Sequence, residues 1–148
     1  MRIQQFLLAA FLIFAATACS NKTEEQANAA FTNLLPKPVE DKRSTGYFQP
    51  GEKLLLVVTA ADSVLLLNSA LVAQLFPSTT LVPATEHTAG NKAIVLQLIS
   101  DSTLGNEGYV LSISDSLVAL QAHTAAGIFY GLQTIRQLLP ANNAESKQ

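Results

Sequence analysis

Carboxylates can act as general acids, general bases or nucleophiles, and two of them close together would be a candidate site for such chemistry. Glu24–Glu25 lies in a polar stretch, and Glu40–Asp41 stands beside Lys42 and Arg43, so both pairs are interpreted as solvated surface. Other acids occupy positions typical of turns or helix caps: Asp62, Glu86, Asp101 and Asp115. The positions of the acidic residues in the sequence therefore do not indicate a catalytic pair of carboxylates.

Histidine and the common catalytic motifs offer no alternative chemistry. His87 lies in a polar loop, and His123 directly precedes a predicted helix, where a packed or capping role is expected. The sequence has no H-E-x-x-H motif, no Cys/His cluster, no G-x-S-x-G and no phosphate-binding loop. We therefore expect no metal and no cofactor. Several aromatic residues could form a sugar-stacking surface, although no spacing connects them and core packing is favoured: Tyr47, Phe48, Tyr109, Phe129 and Tyr130.

The single cysteine, Cys19, stands at the end of an export signal. Residues 1–18 begin with Arg2, continue with the apolar run Phe6–Phe14 and end in small residues. The segment "ATAC", Ala16–Cys19, resembles the bacterial lipobox, in which the cysteine receives a diacylglycerol and becomes the new N-terminus. Its first position is usually Leu and here is Ala. Lipidation would also explain an unpaired cysteine in an exported protein.

These features predict a lipoprotein anchored on the periplasmic or cell-surface side of an outer membrane. Two alternatives remain open. One is an N-terminal membrane anchor, although the apolar run is shorter than the roughly 20 residues that a span requires. The other is an ordinary export signal in which the cysteine is incidental.

The chain has the size of one domain. It has 148 residues, of which 49% are hydrophobic, and a formal net charge of −2, which is enough sequence to bury a sizeable core. A nucleic-acid partner would need a basic surface. The net charge is negative, and the densest basic group consists of Lys37, Lys42 and Arg43. The charge of the chain therefore argues against a nucleic-acid partner.

Composition divides the chain after the signal into three parts. Residues 19–33 are predicted to be the lipidated cysteine and a flexible polar tether, 34–140 the domain, and 141–148 a polar tail. Pro36 and Pro38 favour an extended start to the domain.

Hydrophobic periodicity within the domain predicts an α+β fold, with two helices packed on a small mixed β-sheet. The predicted elements are a strand at Leu54–Val58, a helix at 61–76 ended by Pro77, an extended piece at 79–85, a strand at 92–100, a hairpin of strands 109–114 and 117–122, and a last helix at 123–139. The first helix has an apolar stripe and is expected to be largely covered: Val64, Leu67, Leu71 and Leu75, widened by Leu65, Val72 and Phe76.

The last helix contains two glycines, Gly127 and Gly131, each of which costs about 1 kcal/mol of helix propensity relative to alanine. They lie beside an apolar stripe that contains Ile128, Leu132 and Ile135. A buried glycine allows the helix backbone to approach a sheet closely, and a methyl group in such a contact typically costs about 1–3 kcal/mol. We therefore predict that both glycines face the sheet. Polar residues interrupt the apolar run, which argues against a transmembrane G-x-x-x-G dimer.

Three segments together resemble the N-terminal domain of family 20 glycoside hydrolases, the bacterial β-N-acetylhexosaminidases. They are "LLPKPVE", "NEGYVLSIS" and "LVALQAHTAAGIFYGLQTIRQLLP". That domain typically opens with a proline-bearing segment, continues with an E-G-Y strand and ends with a helix written G-x-x-x-G-x-Q-T-x-x-Q-L. The matching residues are Pro36, Pro38, Glu107, Gly108, Tyr109, Ala122, Gly127, Gly131, Gln133, Thr134, Gln137 and Leu138. The resemblance extends over residues 34–140.

The resemblance implies a non-catalytic domain that precedes a (β/α)8 barrel. In that family an adjacent Asp-Glu pair of the barrel acts with the substrate's own acetamido group, and this chain has no Asp-Glu dipeptide. The implied partner is thus the catalytic barrel of the same protein. A glycan substrate would be bound only by that barrel. Glu107 is expected to anchor the loop before its strand by accepting backbone N–H groups, and contact with the barrel is the alternative.

Two functions remain open at this point. The chain is either the N-terminal part of an exported hexosaminidase or a free-standing lipoprotein that serves as an interaction or carbohydrate-binding module. A stand-alone enzyme is disfavoured because the acids are missing. A domain made to pack on a barrel should expose an apolar patch of more than a few hundred Å², whereas a free-standing module should not.

Overall fold

The computed structural model describes residue 25 and residues 28–43, 46–59, 63–83 and 91–140. The chain divides into two units, Met1–Val39 and Glu40–Gln148. In the first unit, residues 28–32 are helical, and the Thr32 hydroxyl donates to the Asn28 carbonyl over 2.9 Å. A flexible tether was expected up to residue 33, so this short helix corrects the prediction for residues 28–32. Ala29 and Ala30 favour the helix.

The second unit contains one five-stranded sheet and two helices. The elements are β1 (Leu54–Val58), α1 (Ser63–Leu75), β2 (Thr79–Val82), β3 (Ala93–Leu98), a 3-10 turn (Ser102–Leu104), β4 (Tyr109–Ile113), β5 (Leu117–Ala122) and α2 (Ala125–Leu138). The strand order is β2-β1-β3-β5-β4. Strand β1 pairs in parallel with β2 and β3, and β3 pairs in parallel with β5. Only β4, at the edge, runs antiparallel to its neighbour β5.

The hairpin between β4 and β5 forms where the sequence predicts it. Tyr109 lies opposite Ala122 and Ile113 opposite Val118. In the turn, the Leu117 N–H donates to the Ser114 hydroxyl over 3.0 Å, and the Ser114 N–H donates to the Leu117 carbonyl over 2.8 Å. The polar turn therefore fixes the register, and the register places Tyr109, Leu111 and Ile113 on one face.

Both helices pack on that same face of the sheet and against each other. Alternate residues of the central strands point towards them, which gives β5 its alternation of half-buried and buried positions. The fully or nearly fully buried core consists of Leu54, Leu56, Val72, Phe76, Ile94, Leu96, Val118, Leu120, Ala122, Ile128, Leu132 and Ile135. Burial of each large aliphatic side chain contributes about 1.5–3 kcal/mol. The α+β prediction, with two helices on a small mixed sheet, is confirmed.

The stripe predicted for α1 is wrong at one position. Val72 and Phe76 are buried and Leu71 and Leu75 are half-buried, but Leu67 is largely exposed. The helix turns Val72 towards the sheet, and Leu67 therefore points away from it. The candidate cap Asp62 lies outside the described residues, as do the side chains of Val64 and Leu65. The end of α1 before Pro77 is confirmed.

Candidate functional site: the contact of the last helix with its sheet

Gly127 lies where α2 touches the edge of the sheet, at the backbone directly before β4. A Cβ atom added to Gly127 would be 2.5 Å from the Gly108 carbonyl oxygen and 2.8 Å from the Ala122 Cβ. A backbone carbonyl cannot move aside without displacing its strand, so this position accepts only glycine. The prediction that Gly127 faces the sheet is confirmed.

Gly131, one turn further along, meets a side chain rather than backbone. Its added Cβ would be 2.2 Å from Cδ1 of Leu120 and 2.9 Å from Cδ2. Leu120 is completely buried in the core, so its isobutyl group has little room to rotate away. Gly131 therefore also faces the sheet, as predicted. The atoms that exclude a Cβ at this position belong to the Leu120 side chain, which a substitution could shorten.

Gly108 belongs to the same contact. A Cβ on Gly108 would be 2.0 Å from the Leu104 carbonyl oxygen of the 3-10 turn, and the Gly108 carbonyl is the atom nearest Gly127. The turn before it ends at Gly105, which has a φ of 68°, a left-handed conformation that glycine adopts without strain. The residues before β4 and the start of α2 are far apart in the sequence, and they meet at Gly108 and Gly127.

A second pair joins the same two elements. The Tyr109 hydroxyl on β4 and the Thr134 hydroxyl on α2 are 2.5 Å apart and share a hydrogen bond. Thr134 is buried, so the bond satisfies a polar group that lies away from water. The residues Gly108, Tyr109, Gly127, Gly131 and Thr134 therefore form one structural contact, which we call the helix seat.

The start of α2 is fixed by two residues that the sequence analysis missed. Thr124 is the N-cap: its hydroxyl accepts from the Gly127 N–H over 3.2 Å and donates to the Asn106 carbonyl. Asn68 of α1 is buried, and its Nδ2 donates to the Ala125 carbonyl over 3.0 Å. The N-cap preference of threonine could have identified Thr124, whereas nothing in the sequence connects Asn68 with Ala125.

Three other residues of the predicted motif lie at the surface or near it. Glu107 and Gln137 are exposed and Gln133 is half-buried. The anchoring role expected for Glu107 is not seen: among the described residues, the side chains that bond the backbone of this loop are Asp101 and Thr124.

The position before the helix is held by packing and a backbone contact. His123 is half-buried, and its Nδ1 lies 3.3 Å from the Ile99 carbonyl oxygen, while the capping role belongs to Thr124. Asp101 caps the 3-10 turn by accepting from the Thr103 N–H over 3.0 Å. Hydrogen bonds from the Thr103 hydroxyl and N–H lower the pKa of Asp101.

The aromatic residues do not form one sugar-stacking surface. Phe48 and Tyr109 pack against the core, while Phe129 and Tyr130 lie on the outer side of α2 as an edge-to-face pair with ring centroids 5.7 Å apart. Tyr47 is half-buried. The structure therefore places Phe48 and Tyr109 in a different environment from Phe129 and Tyr130.

In the part of the chain that the structure describes, no acidic residues are arranged as a site for acid–base catalysis would require. Every acid in these ranges is exposed, and no three His, Cys, Asp or Glu residues there are grouped as metal ligands would be. Neither α1, α2 nor any other helix of the described ranges has the length and hydropathy of a membrane span. The predicted lipidation site Cys19 and the loop residue His87 lie outside the described residues.

The fold and the helix seat define a small α+β domain whose distinctive residues make structural contacts. The chain matches the family described as "Glycosyl hydrolase family 20, domain 2" over residues 32–147, and it belongs to that family. The helix seat explains the resemblance physically, because the E-G-Y strand and the glycine-bearing helix are the two sides of one contact.

Relatives and solved structures agree with this assignment. A "Beta-hexosaminidase" of Porphyromonas gingivalis (strain ATCC BAA-308 / W83) is 29% identical over 137 residues, which cover 88% of this chain and 17% of the relative. The family 20 β-N-acetylhexosaminidase of Streptomyces coelicolor A3(2) is 25% identical with a TM-score of 0.61, over 76% of this chain and 22% of that one. The N-acetyl-β-hexosaminidase of Streptomyces plicatus is 25% identical with a TM-score of 0.58, over 74% and 22%.

The chain thus spans between 17% and 22% of the length of these relatives.

Proposed function

We propose that this chain is the non-catalytic N-terminal domain of an exported β-N-acetylhexosaminidase. The full-length protein would hydrolyse terminal N-acetylhexosamine residues of glycans, and a (β/α)8 barrel that carries the Asp-Glu pair would perform the reaction. The observation that supports this most directly is the family match over residues 32–147, together with relatives that are themselves β-hexosaminidases.

The geometry indicates what such a domain contributes. The helix seat holds α2 rigidly on the sheet, and Asn68 holds α1 against the start of α2. The two helices therefore form one layer that is packed on the sheet and joined by a hydrogen bond. A layer of this kind can position a neighbouring domain without taking part in the chemistry.

Export and lipid anchoring at Cys19 complete the proposal, and they rest on the sequence of residues 1–19. An anchored enzyme would act on glycans at the periplasmic or cell-surface side of the membrane. The tether would set its distance from the lipid.

The test of the proposed function is an exchange of domains. In the Porphyromonas gingivalis relative, the matching segment is replaced by residues 32–140 of this chain, and hydrolysis of a chromogenic N-acetylglucosaminide is measured. We expect turnover by the chimera, within about tenfold of the parent because the barrel keeps its catalytic groups, and none by this chain alone.

Two results would contradict the proposal. Clear turnover by this chain alone would mean that it carries catalytic groups of its own. A folded but inactive chimera, beside an active parent, would mean that the domain does not serve a hexosaminidase barrel. Specific glycan binding by the free chain would favour the carbohydrate-binding module instead.

A further inference from the structure

The sheet has a second face, on the side away from the helices, and this face carries no charge. None of the five strands contains a charged residue. Side chains alternate between the two faces of a strand, so the strand positions that do not point towards the helices form what we call the outer sheet face. Its residues are Leu55, Val57, Thr80, Val82, Ala93, Val95, Gln97, Val110, Ser112, Leu117, Ala119 and Gln121.

The sequences of these strands are typical of a sheet that is covered on both sides. Parallel strands with two buried faces have near-continuous hydrophobic runs, whereas a sheet with one solvated face alternates apolar and polar residues. β1 reads LLLVV and β3 reads AIVLQL, and the two strands pair in parallel. On the outer sheet face Val95 is half-buried and Val110 is 46% exposed. Apolar side chains of one contiguous face are thus left accessible, which indicates that another surface covers them.

One polar pair interrupts the outer sheet face, near the carboxyl ends of β3 and β5. Gln97 and Gln121 lie side by side, and the Gln121 Nε2 donates to the Gln97 Oε1 over 2.7 Å. This bond leaves the Gln97 amino group able to donate and the Gln121 carbonyl able to accept. A pair with one donor and one acceptor is complementary to itself, because two copies related by a two-fold axis can each donate to the other.

The chemistry of the outer sheet face excludes several occupants. A saccharide usually stacks on aromatic rings and meets several polar groups, and none of the positions of this face is aromatic. Nucleic acid and anionic membrane surfaces require basic residues, which the five strands lack. A charged partner would lose its hydration without gaining an opposite charge. A surface identical to this one meets none of these penalties.

We propose that the outer sheet face binds a second copy of this chain, with the two sheets packed face to face about a two-fold axis. Two packed sheets lie about 10 Å apart, and the side chains of their inner faces interdigitate. Valine and alanine on both sides suit that spacing, and the Gln97–Gln121 pairs bond across the axis. The dimer has the helices outermost, on the two sides away from the interface, so it is independent of what the helices contact.

Sedimentation equilibrium tests this inference. The chain is purified in a Cys19→Ser background, so that neither a lipid nor a disulfide joins two copies. We expect a reversible dimer with a Kd below about 100 µM. Gln121→Glu and Gln121→Lys should each raise that Kd by at least about tenfold, since like charges would face each other across the axis. An equimolar mixture of the two variants should associate again, because the charges are then opposite.

Gln74 supplies the matched control. It is exposed on α1, so the same two changes, Gln74→Glu and Gln74→Lys, alter the charge of the helix layer and leave the outer sheet face unchanged. Their Kd should stay within about twofold of the parent value, since sites without shared contacts act independently. The mixing experiment also controls for folding, because a heterodimer of the two Gln121 variants forms only if both are folded.

Thiol labelling is a second measurement that needs no change at the polar pair. Val110→Cys lies on the outer sheet face, and Leu66→Cys, at a position that is 48% exposed, lies on α1. At a protein concentration ten times the Kd, about one chain in five is monomeric by mass action. Maleimide labelling of Val110→Cys should therefore be slower by about fivefold than in dilute solution, and that of Leu66→Cys should not change.

Each other outcome would overturn the inference and leave the proposed function intact. A chain that is still monomeric at about 500 µM has no such dimer. A dimer that both Gln121 variants retain, or that the Gln74 variants lose, is held by another surface. Protection of Val110→Cys at every concentration would mean that the chain covers this face itself. Protection that requires phosphatidylcholine vesicles would assign the face to a lipid surface.

Discussion

At the scale of single residues, the two glycines of α2 have different physical roles although they look alike in the sequence. Gly127 faces a backbone carbonyl, which cannot retreat, and Gly131 faces the end of the Leu120 side chain. The cost of adding a methyl group depends on whether the neighbour can yield. The two positions should therefore respond differently to alanine.

Gly127→Ala should destabilise the domain more than Gly131→Ala does. Overpacking at Gly127 is expected to cost about 1–3 kcal/mol, and the gain of about 1 kcal/mol in helix propensity offsets only part of it. Urea unfolding followed by circular dichroism measures both variants. Ala126→Gly, at an exposed position of the same helix, is the control for propensity alone.

Leu120→Val should rescue Gly131→Ala but not Gly127→Ala. Shortening Leu120 removes the δ-carbon nearest Gly131, so a double-mutant cycle should give a favourable coupling of about 0.5–3 kcal/mol for that pair. Coupling near zero for the Gly131 pair would show that Leu120 is not the group that excludes a side chain there.

At the scale of elements, α2 is joined at two positions along its length to β4 and to the residue that directly precedes β4. Gly108 meets Gly127 near the start of the helix, and Tyr109 meets Thr134 further along it. The edge strand, although antiparallel to the rest of the sheet, is thereby fixed to the helix layer.

Tyr109→Phe should destabilise the domain by about 1–3 kcal/mol, because it leaves the hydroxyl of Thr134 buried without its partner. Tyr130→Phe is the matched control, since Tyr130 is exposed and lies on α2, the helix that carries Thr134. Surface substitutions of this kind usually change the free energy of unfolding by less than about 0.5 kcal/mol. Tyr109→Phe combined with Thr134→Val should be less damaging than the sum of the two changes. Thermal unfolding measures the series, and strict additivity would argue against the bond.

At the scale of the whole molecule, the domain has a sheet with a layer of two helices on one face. The hydrophobic core between the sheet and the helices accounts for its stability. The proposed export and anchoring would add a location to this arrangement, and the anchoring would depend on Cys19, which lies outside the described residues.

Cys19→Ser should abolish membrane attachment of the expressed chain in a bacterial host. The thiol is the group that would receive the diacylglycerol, and serine cannot form the thioether. Fractionation, with detection of the acylated N-terminal peptide by mass spectrometry, measures the effect. Ser20→Ala is the control that leaves the thiol in place. Attachment that persists in Cys19→Ser would favour the uncleaved N-terminal anchor.

The sequence by itself determined most of the elements of the domain. β1 and β5 have the predicted ends, and the hairpin and both helices appear where periodicity and turn residues place them, because these signals are local to each segment. The inward direction of Gly127 and Gly131 was also predictable, since only a close contact repays the loss of propensity.

Only the tertiary structure decided what those elements meet. The strand order, the parallel pairing, the carbonyl of Gly108 against Gly127, and the bond from Asn68 to Ala125 all join residues that are distant in the chain. The exposure of Leu67 could not be predicted either. An apolar residue on a helix is expected to be buried, and only the packing of α1 on the sheet shows that Leu67 points away from it. The physical reason is that periodicity reports which face of an element avoids water, while the packing of the whole domain selects the neighbour that covers it.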